Sequence, residues 1–154
     1  MRSEIYGNMN EINEISLEGF QVVSRDYFYG QHRLMMPSMT FWDGSIGFTK
    51  QDVVMLNGCE CVLLQINTDA KKVLVVPTTS KDTDSIHWIK NRKTMNPRKI
   101  SCKKLTDQVY KMWGWNMDYI YRAQGKLVTA GNKVMLLFDF SEPENWLRPE
   151  AKKV

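Results

Sequence analysis

Long apolar runs are missing from this chain. None approaches the roughly 18 residues that a membrane-spanning helix requires, so an integral helical membrane protein is excluded. Residues 1 to 13 are polar and hold no apolar stretch of signal-peptide length, so the expected location is the cytoplasm. Cysteine is scarce and odd in number, with Cys59, Cys61 and Cys102. Cys59 and Cys61 share a strand face and lie too close along the chain for an unstrained bridge, so reduced thiols packed as small side chains are expected. Histidine occurs only at His32 and His87, neither at finger-like spacing from a cysteine pair, and no metal or cofactor is expected. A nucleophile elbow, a phosphate-cradling glycine loop and a His-Glu-x-x-His helix are all lacking, and the chain is expected not to be an enzyme. Asp82 and Asp84 are the acidic pair to weigh as divalent-ion ligands for nuclease chemistry, which ranks third among the functional readings. A polar turn accounts for them more simply.

Acidic residues are absent from Ser85 to Thr106, where Lys90, Arg92, Lys93, Arg98, Lys99, Lys103 and Lys104 supply seven positive charges. Taking those seven from the 21 basic residues leaves 14 against 17 acidic ones, so the net charge of +4 conceals a basic band on a slightly acidic body. Lysine and arginine neutralise phosphates, and Arg92 and Arg98 add the option of two parallel hydrogen bonds to one phosphate. Trp88 lies beside the band in sequence and offers a stacking surface for an exposed base. The competing explanation is a solvated sheet edge guarded by lysines. The charge segregation favours nucleic acid, DNA first and RNA as its alternative, bound through the band.

What remains is ordinary for a folded domain: 43% hydrophobic and 25% charged residues over 154 positions. Residues 1–18 read as a flexible tail, 19–140 as a single domain and 141–154 as an irregular tail pinned by Trp146. Phe20 to Tyr29 alternates as a strand that Gly30 ends. Within the domain one pattern occurs twice, about 54 residues apart. Residues 43–77 give a strand with Ile46 and Phe48 facing inward, a short helix over Gln51 to Asn57 stopped at Gly58, and a largely buried hairpin from Glu60 to Pro77. Residues 98–140 give a strand, a helix from Leu105 to Trp113 with Val109 and Met112 on its apolar stripe, a stop at Gly114, and a hairpin turning at Thr129 to Asn132. The connector over 78–97 is expected to be a long loop, acidic first and basic last. Trp115 is the aromatic expected to be exposed, while Trp113, Tyr119 and Tyr121 pack in the core.

The order of strand, short helix and hairpin, opened by Asp43-Gly44-Ser45-Ile46, is similar to the half-unit of the AbrB-like swapped-hairpin family. Its duplication resembles the MraZ-type arrangement with two units in one chain. The resemblance covers roughly Thr40 to Phe140. It implies a mainly β (α+β) fold in which two β-α-β-β swapped-hairpin-like repeats form a pseudo-twofold barrel, and it implies regulatory DNA binding. In that family a basic residue after the glycine helps bind DNA and a proline follows the strand; here Ser45 and Thr49 stand at those places. Lys99 stands where the second unit matches Ser45, so binding is expected to lean on the second unit. The run Arg98 to Lys103, followed by Met112-Trp113-Gly114-Trp115 and Tyr119 to Leu127, also looks like small uncharacterised proteins carried on mobile elements of Gram-positive gut bacteria. That likeness implies a genetic neighbourhood and no activity; the competing functional class is a mobile-element inhibitor or adaptor that uses the same band to bind a protein partner such as a host-defence nuclease.

Overall fold

In the computed structural model the described residues are 12–23 and 36–149. The chain divides into two units, Met1–Leu34 and Met35–Val154. In the first, the described stretch carries a turn at Glu18 and Gly19, where Phe20 N donates to Leu17 O at 3.1 Å. Residues 20–23 form no strand, contrary to the alternation of their side chains, and the rest of the expected 20–29 strand lies outside the described residues.

The second unit is mainly β. Its strands are β1 (Ser38–Trp42), β2 (Ser45–Phe48), β3 (Cys61–Asn67), β4 (Lys72–Thr78), β5 (Ile86–His87), β6 (Ile89–Asn91), β7 (Asn96–Pro97), β8 (Ile100–Ser101), β9 (Tyr119–Ala130), β10 (Lys133–Asp139) and β11 (Glu144–Leu147). The helices are α1 (Lys50–Met55), between β2 and β3, and α2 (Lys103–Met112), between β8 and β9. One antiparallel sheet runs in the order β5-β3-β4-β10-β9-β1-β2-β8, with β11 added to β9, and it curls into a half-barrel. β6 and β7 pair separately.

Period-two alternation sets the core. Met39 and Phe41 of β1, Ile46 of β2, and Tyr121 and Ala123 of β9 point inward and are buried, in register with one another. Val62, Val73, Val75, Leu136 and Phe138 continue that face across β3, β4 and β10. β9 is long enough to serve two neighbours on one edge, pairing with β10 through its second half and with β11 through its first. The chain between 140 and 143 bridges them, and Phe140 turns inward with its N–H on Lys71 O at 2.7 Å. Residues 144–147, expected as an irregular tail, are therefore a sheet strand.

Both helices end in the same way. Asn57 (φ 58°) follows α1, and Gly58 N donates back to Val53 O at 2.8 Å; Gly114 (φ 67°) follows α2, and Trp115 N donates back to Tyr110 O at 2.8 Å. These left-handed residues satisfy carbonyls that a helix end leaves open. α1 opens with a capping box: Thr49 Oγ1 accepts from Asp52 N (3.3 Å) and Asp52 Oδ2 accepts from Thr49 N (2.8 Å). α2 buries Thr106, Val109 and Tyr110, and the Tyr110 hydroxyl lies 2.7 Å from Tyr119 O and 3.2 Å from Phe41 O, fixing the helix to β1 and β9. Met112, placed on the apolar stripe by helical spacing, is 51% exposed; Tyr110 takes the core position. The expected burial of both strands of the first hairpin holds for β4 but only for the start of β3, whose last three residues are exposed.

Candidate nucleic-acid interface

Among the described residues the sheet ends at β5 and at β8, and the chain that passes between them is the basic segment. The expected loop over 78–97 is structured there. Ile89 and Trp88 are buried beneath it, β6 and β7 form a hairpin with a register irregularity between Ile89 and Asn91, and Met95 takes φ 61° in the turn. Asn91 Oδ1 accepts from Lys93 N at 2.9 Å and from Thr94 N at 3.3 Å, the side-chain-to-backbone pattern that lets asparagine start a turn. Trp88 N donates to Glu60 O (3.2 Å) and Arg98 N to Trp88 O (2.8 Å), so backbone hydrogen bonds carry the ladder from the β3 side across the seam towards β8.

Trp88 does not have the role its position in the sequence suggested. It is 0% exposed, its Nε1–H donates to Cys59 O at 2.7 Å, and its ring meets Phe48 edge-on at 5.2 Å between centroids. A base has no access to it. It anchors the hairpin instead, because an indole is large enough to fill the core beneath two short strands and needs one acceptor for its N–H. Trp115 is likewise not the exposed aromatic. It stacks on Tyr121 at 4.1 Å between centroids and 11° between planes.

The seven basic side chains fall on three adjoining pieces of the seam. Lys90, Arg92 and Lys93 are on the β6–β7 hairpin, Arg98 and Lys99 lead into β8, and Lys103 and Lys104 open α2; all seven residues are exposed. Arg92 pairs with Glu60 at 2.7 Å, and Lys103 with Asp107 at 3.0 Å and Asp43 at 3.2 Å. Those two carboxylates, Asp107 first, hold the Lys103 ammonium above its usual range. The other five have no carboxylate partner among the described residues. The first turn of α2 contains no acidic residue, and its N-cap Cys102 makes no side-chain cap, so two lysines add positive charge to the positive end of the helix.

The turn between β1 and β2 is tied to the same place. Gly44 N donates to Thr106 Oγ1 at 2.9 Å, Cys102 N donates to Gly44 O at 2.9 Å, and Gly44 takes φ 93° to allow both. This docking brings Trp42 to the band: Lys99 Nζ stands 4.4 Å from the centroid of its half-buried indole. Starting the strand at Ser38 and not at Asp43 would have found Trp42 in the sequence, because alternation then sets it opposite to Met39 and Phe41.

Burial pushes the Cys59 thiol up to about 11 and raises that of Cys102, which keeps both protonated at neutral pH. Among the described residues no three His, Cys, Asp or Glu side chains are placed to hold a metal ion. Asp82 spends its carboxylate on its own turn, accepting from Asp84 N at 3.0 Å. No described helix is long and apolar enough to cross a membrane. Comparison with protein-family models, with curated proteins and with solved structures gives no match.

Proposed function

We propose that the protein binds nucleic acid without catalysis, using the basic seam between β5 and β8. The observation that carries this reading is the local excess of charge: five exposed cations without carboxylate partners among the described residues, on the β6–β7 hairpin that buried Trp88 and Ile89 anchor, on the residues leading into β8 and at the start of α2. Lysines that guard a sheet edge lie on the edge strand itself. Seven basic residues on one continuous stretch, two of them set against a helix dipole, are a positive surface on a chain that is otherwise slightly acidic.

The relation to swapped-hairpin proteins belongs to the same proposal. The order β2-α1-β3-β4 returns as β8-α2-β9-β10. Ile46 and Ile100 pair directly with each other, as equivalent residues beside a twofold axis do, and β4 pairs with β10. β1, just before the first set, pairs with β9 of the second, and β5, in the connector that leads to the second set, pairs with β3 of the first. These pairings support a pseudo-twofold built from two exchanged units, in which Lys99 takes the place of Ser45 and only one of the two units is charged for binding.

Replacing Lys90, Lys93 or Lys104 singly by serine tests the reading. Each change is expected to weaken binding to mixed-sequence nucleic acid uniformly and to lower the slope of log affinity against log salt by about one. Lys72→Ser, in β4 at the middle of the sheet path, should leave both unchanged. Equal effects from Lys72 and the seam lysines would mean that net charge alone, and no defined face, accounts for binding.

A further inference from the structure

The side of β8, β2, β1, β9 and β11 turned away from the core is a sheet face with an unusual composition. Cross-strand partners share a face, so Trp42, Ser45 and Ser101 lie in one row and Thr40, Gly47 and Arg122 lie on the same side. Two tryptophans stand on it. Trp146 is opposite Ile120 in the β11–β9 ladder, and continuing the Phe41 to Tyr121 pairing by one residue sets Trp42 opposite Ile120 from the other side. The indoles thus flank Ile120 on strands two apart, about 10 Å from each other at the backbone.

Each indole carries a cation. Lys99 Nζ is 4.4 Å from the Trp42 centroid, and the Arg122 guanidinium is 5.0 Å from that of Trp146. Trp42 covers Gly47 so closely that a Cβ there would come within 2.5 Å of the ring, and the flexible, exposed Lys99 side chain is the group over the ring that a planar ligand would displace. Small residues beneath and large flat rings above make a surface on which planar groups can lie.

We infer that this outer sheet face is a stacking platform for single-stranded nucleic acid, with Trp42 and Trp146 each receiving an unstacked base while Lys99 and the neighbouring seam lysines hold the phosphates. This rests on the nucleic-acid reading above and deepens it. Duplex bases are already stacked on each other and cannot lie flat on a sheet, whereas every unpaired base has a free π-face and stacks without regard to sequence. The cations over the indole faces respond to the same negative quadrupole that a base edge or cation would meet; Lys99 is exposed and free to swing from the ring to a phosphate, whereas Arg122 is held by Glu144 at 2.6 Å and stays as a support for Trp146.

The probes are a mixed-sequence 12-nucleotide single strand and the duplex of the same sequence, titrated against wild type, Trp42→Leu with Trp146→Leu, and Trp42→Phe with Trp146→Phe, each confirmed folded by circular dichroism. The wild type is expected to prefer the single strand. The leucine pair should lose about tenfold or more in single-strand affinity, with duplex affinity and salt slope unchanged, and the phenylalanine pair should keep most of it. If the leucine pair binds the single strand like wild type, or if the wild type prefers duplex, the platform is wrong while seam binding stands. If the wild type binds neither at low salt, the nucleic-acid reading falls and the platform with it. Should the leucine pair not fold, the phenylalanine pair and quenching of tryptophan fluorescence by single strand over duplex decide; no selective quenching overturns the platform.

Discussion

Gly125 stands directly opposite Phe138 in the β9–β10 ladder, and a Cβ at that glycine would meet the Phe138 ring at 2.5 Å. The ring lies over the missing side chain at the point where β9 passes from its pairing with β1 to its pairing with β10, so one small residue lets the sheet curl without a void. Gly125→Ala is expected to cost about 1–3 kcal/mol in chemical denaturation, as overpacking does. Adding Phe138→Leu should make the pair cost less than the sum of the two single changes. Asp52 gives a second residue-scale expectation. It is fully buried, its Oδ1 has no hydrogen-bond partner, and burial raises its carboxyl to about 8 against the opposing effect of the Thr49 hydrogen bonds. The native state therefore holds this proton more tightly than the unfolded chain does, and stability falls as pH rises from about 4 through about 8 before levelling off. Asp52→Asn keeps an acceptor for Thr49 N–H and removes the titration, so the difference in unfolding free energy between wild type and variant should shrink, then change sign in the variant's favour, across that window. A constant difference would show that Asp52 is charged in the fold at neutral pH.

Among the elements, α2 sets stability against binding. Lys104 lies in its first turn, where the helix dipole favours a negative charge. Lys104→Glu is expected to raise unfolding stability by about 0.3–1 kcal/mol while weakening nucleic-acid binding and its salt dependence. A gain in stability with unchanged binding would remove α2 from the interface. The β6–β7 hairpin shows why this element was hidden in the sequence: two- and three-residue strands have too little alternation to register. What closes the hairpin is a tertiary contact, Met95 against Gly58, together with the Trp88 hydrogen bond to Cys59 O. β11 escaped for the same reason, since Glu144 and Asn145 read as loop until β9 supplies their partners.

Across the whole molecule, long-period pattern was more legible than local detail. The mainly β character, both helices, their Asn57 and Gly114 stops and the Gly131 turn follow from residues whose preference is local. The order of strands around the sheet does not, because it depends on pairings between positions as far apart as Phe41 and Tyr121. The charged part of the candidate site was legible because charge excess is a property of composition. Its aromatic part was misassigned, since whether Trp88 or Trp42 meets solvent is decided by which lies over the core, and a sequence window contains no record of that. The fold then accounts for where the charge sits. Two sheet ends are bridged by one chain segment that holds five of the seven basic residues of the band, and the other two open α2 directly after β8.

The central claim is tested most directly by salt-titrated binding of mixed-sequence single- and double-stranded DNA to the wild type and to a variant with Lys90, Arg92, Lys93, Arg98 and Lys99 all changed to serine. Steeply salt-dependent binding by the wild type that is largely lost in the folded variant is the predicted result. Absence of wild-type binding at low salt, or equal binding by the variant, would contradict it and turn the seam into a solubilising edge or a protein-contact surface.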